Sequence, residues 1–254
     1  MIGGPEVDAT IVAVVIAAAI LNGAVGYGFA VVAVAGFAFV IDARTGIILL
    51  SVITPVLTTL QLRRHWPARA VVARIRPVWA TAVFGSIAGT QLLILLPGWV
   101  LAIVLGLFAL WYALSSLRRG PMHLPPEHER LVAPGVGFLA GVVNGAVGAS
   151  GPVLGSYLLA IGLRGRDWIF AISFVFWVMS FVRATTLAVA GAYGPGLVPF
   201  GLGLAVLAAI SQAGGFMIQR RFSPATFQRI VLVVLLLASA NLLVRGIGQA
   251  LAPG

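Results

Sequence analysis

The pentapeptide Asn22-Gly23-Ala24-Val25-Gly26 recurs letter for letter as Asn144-Gly145-Ala146-Val147-Gly148, 122 residues later. Each copy is centred in a charge-free stretch of 33 residues, 9–41 and 131–163. Two glycines and an amide are poor helix formers, so each copy predicts a break in an apolar segment. A helix resuming after such a break presents free N–H groups and a partial positive charge at its first turn. Two of these ends facing each other would hold an anion with backbone alone. In the second copy, Ser150 and Gly151 followed by Pro152 read as a cap with proline early in the new helix. In the first copy the corresponding stretch is Tyr27-Gly28-Phe29-Ala30, so the site is expected to be asymmetric.

The polar residues around these breaks are the other candidates for chemistry. Small residues allow close helix packing, but packing does not account for Asn22 and Asn144, whose amides need partners in an apolar medium. Arg183 is the one charge well inside an apolar segment, with no acid in the core to pair with. An intramembrane arginine is a candidate anion partner. The alternative is snorkelling to the headgroups, since its repeat counterpart Gln61 lies near a segment end. Gln91, Ser211 and Gln212 read as interhelical hydrogen-bonding residues. The expected ligand contacts are therefore Asn22, Gly26, Tyr27, Gly28, Asn144, Gly148, Ser150, Gly151 and Arg183.

The elements that position these residues follow from composition. Apolar residues make up 61% of the 254, charged residues 9%. Soluble domains carry roughly 25% charge, so this is an integral membrane protein. The net charge of +10 comes from sixteen basic residues, all arginine and most of them between apolar segments. That pattern orients a membrane protein and does not call for a nucleic-acid partner. There is no cysteine, hence no thiol metal site or disulfide, and no Walker-type phosphate loop. No cofactor is expected. The acidic start, Glu6 and Asp8, does not read as a signal peptide.

Six further apolar segments, Thr45–Leu62, Pro77–Leu96, Trp99–Leu117, Trp168–Ala190, Leu197–Gln219 and Ala225–Val244, are each long enough to cross a core of roughly 30 Å. Arg63, Arg64, Arg69, Arg74 and Arg76 place their loop in the cytoplasm, as do Arg118 with Arg119 and Arg220 with Arg221. The segment 131–163 then begins and ends inside, and the simplest solution is a re-entrant hairpin of two half-helices. The repeat places 9–41 as a hairpin from the outside. The expected fold is an all-α polytopic membrane protein with two inverted-topology repeats, each a broken, re-entrant helix hairpin plus three transmembrane helices. The first repeat is residues 1–120, the cytoplasmic linker 121–130 and the second repeat 131–254.

With this layout the chain resembles the TauE/SafE sulfite exporter family, the TSUP-type permeases. Those proteins have two homologous halves, each opening with a motif of the form G-x-x-G-x-G-G-G. The matching stretches are Gly23-Ala24-Val25-Gly26-Tyr27-Gly28-Phe29-Ala30 and Gly145-Ala146-Val147-Gly148-Ala149-Ser150-Gly151-Pro152. The glycine run is interrupted by Tyr27, Phe29, Ala149, Ser150 and Pro152. The resemblance implies an exporter or permease in a bacterial-type inner membrane, moving sulfite, sulfonates or related organosulfur and carboxylate anions.

No acid lies mid-membrane, so coupling to protons through a buried carboxylate is not expected. The membrane potential supplies about 2.3 kcal/mol per charge per 100 mV for an anion leaving the cell. An anion channel of similar architecture is the alternative. An intramembrane serine protease built on Gly148-Ala149-Ser150-Gly151 is a further one, but His65, His123 and His128 all lie in loops. The expectation is a protein that is not an enzyme, with the small anion and the bilayer as partners and a homodimer left open.

Overall fold

The structure, a computed structural model, describes residues 4–26, 28–118, 124–218 and 224–251. Every regular element among them is helical. The first half comprises α1 (Pro5–Val25), α2 (Phe29–Phe37), α3 (Ala43–Arg64), a 3₁₀ turn (Trp66–Ala68), the single turn α4 (Val71–Arg74), α5 (Arg76–Leu95) and α6 (Gly98–Arg118). The second comprises α7 (Pro126–Val147), α8 (Gly151–Ala160), α9 (Gly165–Val189), α10 (Leu197–Ile218) and α11 (Pro224–Leu251). Each of the six further apolar segments is a helix. Among the described residues six helices are long and apolar enough to cross a membrane, and these are α1, α3, α5, α7, α9 and α10. Large apolar side chains such as Phe84, Leu95, Val206 and Met217 face outward, as they would against lipid.

Both pentapeptides precede a break, but the breaks differ from two matched half-helices. The first arms α1 and α7 have 21 and 22 residues, roughly 32 Å at about 1.5 Å per residue, and the second arms α2 and α8 have only 9 and 10. Each hairpin is a full-length helix followed by a half-length return.

The reason lies in the two glycines of the repeated motif. Gly23 and Gly145 stay helical, and their missing side chains let a backbone carbonyl of a neighbouring helix, Gln212 on α10 and Ser86 on α5, sit where a Cβ would be. Only the second glycine of each motif leaves the helix. Gly26 (φ +94°) and Gly148 (φ +82°) adopt the left-handed conformation, and their amides close the last turn onto the Asn22 and Asn144 carbonyls at 2.7 and 2.8 Å.

The returns fold back against the first arms. Gly36 of α2 packs on Val14 of α1. In the second hairpin the Leu124 amide donates to the Ala160 carbonyl at 2.9 Å, so the chain enters and leaves it at one end. Arg74 clasps this end, pairing with Glu129 at 2.8 Å and donating to the Ile161 carbonyl at 2.9 Å. Residues 126–130, assigned above to a linker, already belong to α7.

The halves pack by exchange. α1 lies against α10, where Gly23 meets Gly215, and α7 lies against α5, where Gly145 meets Gly89. α3 packs on α9, and α6 on α11. One apolar core forms around α1, α2 and α3, and a second around α7, α8 and α9. The two hairpin tips therefore come together beside α3 and α9.

Candidate functional site

A cavity of roughly 590 Å³ of empty space, its mouth included, lies between the hairpin tips. Asn22, Gly26 and Gly28 line it from the first break, with Phe29, Ala30 and Val31 from the first turn of α2. Ala149, Gly151 and Pro152 line it from the second break. Thr54, Leu57, Thr58 and Gln61 of α3 and Ser173 and Phe176 of α9 complete the wall, and no lining side chain is charged.

The local bonding at the first break is nearly closed. The Asn22 side-chain oxygen accepts from the Phe29 amide at 3.3 Å, capping α2. Gln61 Nε2 donates to the Asn22 carbonyl at 3.2 Å. The amides of Ala30 and Val31 lie in the first turn, where no helix carbonyl can accept from them. The same holds for Gly151 and Val153 in α8, since the first bond of that helix is Leu154 to the Ser150 carbonyl.

The second break is less satisfied. Arg183 is fully buried and donates through Nη1 to the Asn144 carbonyl at 2.9 Å. Among the described residues its Nε and Nη2 have no partner, and neither do the buried Asn144 side-chain oxygen and the Ser150 hydroxyl. Arg183 does not snorkel. Arg183 lies against Asn144 and Gly148, and these three with the buried Ser150 do not line the cavity, whereas Asn22, Gly26, Gly28 and Gly151 do. Tyr27 lies outside the described residues.

Thr54, Thr58 and Gln61 sit at i, i+4 and i+7 on α3, so they share the face turned to the cavity. Thr54 and Thr58 are not among the contacts expected from the sequence, although their spacing as a polar stripe in an apolar helix carries that signal. Gln212 bridges helices, donating to the Leu57 carbonyl at 3.3 Å. Gln91 lines a separate open groove between α5 and α9, together with Thr185 and Thr186.

Among the described residues no histidine bonds Ser150. His65 Nδ1 is engaged with the Gln61 carbonyl at 3.0 Å, and burial lowers the imidazole's pKa from its ordinary 6.5. No group of three or more metal-ligating side chains occurs among the described residues.

The family model described as sulfite exporter TauE/SafE matches residues 11–242, which include both breaks and the whole cavity wall. The chain belongs to the TauE/SafE family. It is accordingly a multi-pass membrane transporter. No curated protein and no solved structure matches it.

Proposed function

We propose that this TauE/SafE protein is a secondary transporter of small anions, of the sulfite, sulfonate or related carboxylate class, bound between the two hairpin tips. The observation that carries this reading is the convergence of the first turns of α2 and α8 on one cavity with uncharged walls. Unpaired first-turn amides and two helix dipoles favour a negative guest, and neutral walls let it leave again. Apolar contacts from Phe29, Leu57, Pro152 and Phe176 suit a small organic group beside the charged head.

The orientation follows from the arginines. With Arg63 and Arg64 at the end of α3 in the cytoplasm, the two halves run in opposite senses across a bacterial-type inner membrane. The exchange packing, α1 on α10 and α7 on α5, is the arrangement two inverted repeats would make. Export then runs with the membrane potential. The test is counterflow of radiolabelled sulfite and methanesulfonate into liposomes holding the purified protein. Saturable, competitively inhibited uptake is the expected result, and leakage no faster than in empty liposomes would refute it. Unitary currents in a planar bilayer would instead decide for a channel.

A further inference from the structure

The cavity is one-sided with respect to the repeat. Thr58 and Gln61 line it, whereas the residues 122 positions later, Ser180 and Arg183, are fully buried away from it. Asn22 lines it and Asn144 does not. The closed counterpart is nevertheless the corner with more unmet hydrogen-bonding capacity. Among the described buried side chains beside the first break, the oxygens of Gln61 and Gln212 lack a partner. At the second, the Asn144 side-chain oxygen, the Ser150 hydroxyl and two nitrogens of Arg183 lack one.

Those two nitrogens are Nε and Nη2, which lie along one edge of the guanidinium. That edge presents two parallel N–H groups, the geometry that grips an oxyanion. Among the described residues no carboxylate is paired with Arg183, and a buried cation without a counter-charge is costly in a membrane. Arg183 Nη1, the nitrogen bonded to the Asn144 carbonyl, lies against Gly148, two residues before Ser150 in the chain, which leaves the Nε–Nη2 edge turned away from that bond.

We propose that the Nε–Nη2 edge of Arg183, with the Ser150 hydroxyl, is a second anion station. It takes a singly charged oxyanion, a sulfonate, hydrogen sulfite or carboxylate, when the second hairpin's side opens and the present cavity closes. The proposal rests on the transport reading above. It makes the two stations unequal, because one repeat position carries neutral Gln61 and the other charged Arg183. The anion is held more tightly on the Arg183 side, and that side sets the apparent affinity of one membrane face only.

The repeat supplies the control variant. Gln61 shows that a glutamine at this position can donate to the asparagine carbonyl of its break. Arg183→Gln therefore keeps the bond to the Asn144 carbonyl and removes the charge and the free edge. Methanesulfonate and sulfite exchange is measured from each face separately, in vesicles of right-side-out and inside-out orientation, with unfolding temperature as the check on folding. The expected result is a rise of about tenfold or more in half-saturating concentration on one face only. Ser150→Ala, which removes one hydroxyl, shifts the same face in the same direction by a smaller factor. An equal rise on both faces, or no rise on either with both variants folded, would overturn the second station while leaving transport intact. A wild type that carries neither probe would overturn the transport reading and this proposal together.

Discussion

Arg183 donates to the Asn144 carbonyl at 2.9 Å, and 122 residues earlier Gln61 donates to the Asn22 carbonyl at 3.2 Å. Each long side chain comes from a neighbouring helix and ties down the carbonyl at which its hairpin arm ends. The same carbonyl accepts from the left-handed glycine four residues on. The break is thus held on two sides, which keeps the first-turn amides of the short helix aimed in one direction.

The conflict between packing glycines and open glycines separates two kinds of substitution. Gly23→Ala and Gly145→Ala put a methyl group into a backbone carbonyl of α10 or α5. Each is expected to lower unfolding stability by about 1–3 kcal/mol. Gly135→Ala and Gly214→Ala, where nothing lies within 4 Å, are expected to be neutral or slightly stabilising. Thermal unfolding in detergent checks the contrast, and equal losses at all four positions would contradict the packing described.

Ala30→Pro tests the contribution of backbone amides. Position 30 is in the first turn of α2, where proline is tolerated, and its repeat counterpart is already Pro152. The substitution deletes one N–H facing the cavity. The half-saturating concentration for sulfite should rise about tenfold with little change in unfolding temperature, as for one lost hydrogen bond to a charged group. Unaltered transport kinetics would argue that the amides of α2 do not touch the anion.

Stability should fall on mild acidification because of His65. Burial holds its pKa below 6.5, and Arg64 and Arg166 push the same way. Below that ordinary value the unfolded chain binds a proton that the folded chain resists, so stability declines as pH drops through about 6.5. His65→Asn should flatten this part of the pH profile of the unfolding temperature. A wild-type curve that stays level between about pH 7 and 5 would show that His65 protonates freely in the fold.

Much of this architecture was legible because apolar length and arginine placement are one-dimensional properties. The ends of α3, α5, α6, α9 and α10 fall within two or three residues of the apolar runs that announce them. The repeat relation of Arg183 to Gln61 could also be read by offset alone. What each of them binds could not, because the acceptor is a backbone carbonyl on another helix that only the fold brings alongside. The division of labour within the pentapeptide was hidden for a similar reason. Gly23 is a packing glycine, with Gly215 and Gln212 lying against it, and those partners sit on a helix nearly 200 residues away. Without that contact, both glycines of the motif look equally able to break the helix.

The location of the bound anion tests the central claim most directly. Crystals soaked in selenite, a heavier analogue of sulfite, would show it by anomalous scattering from selenium. The predicted result is a peak in the cavity within hydrogen-bonding reach of the first-turn amides of both α2 and α8. A well-occupied peak elsewhere in the transmembrane region, with that cavity empty, would contradict the assignment.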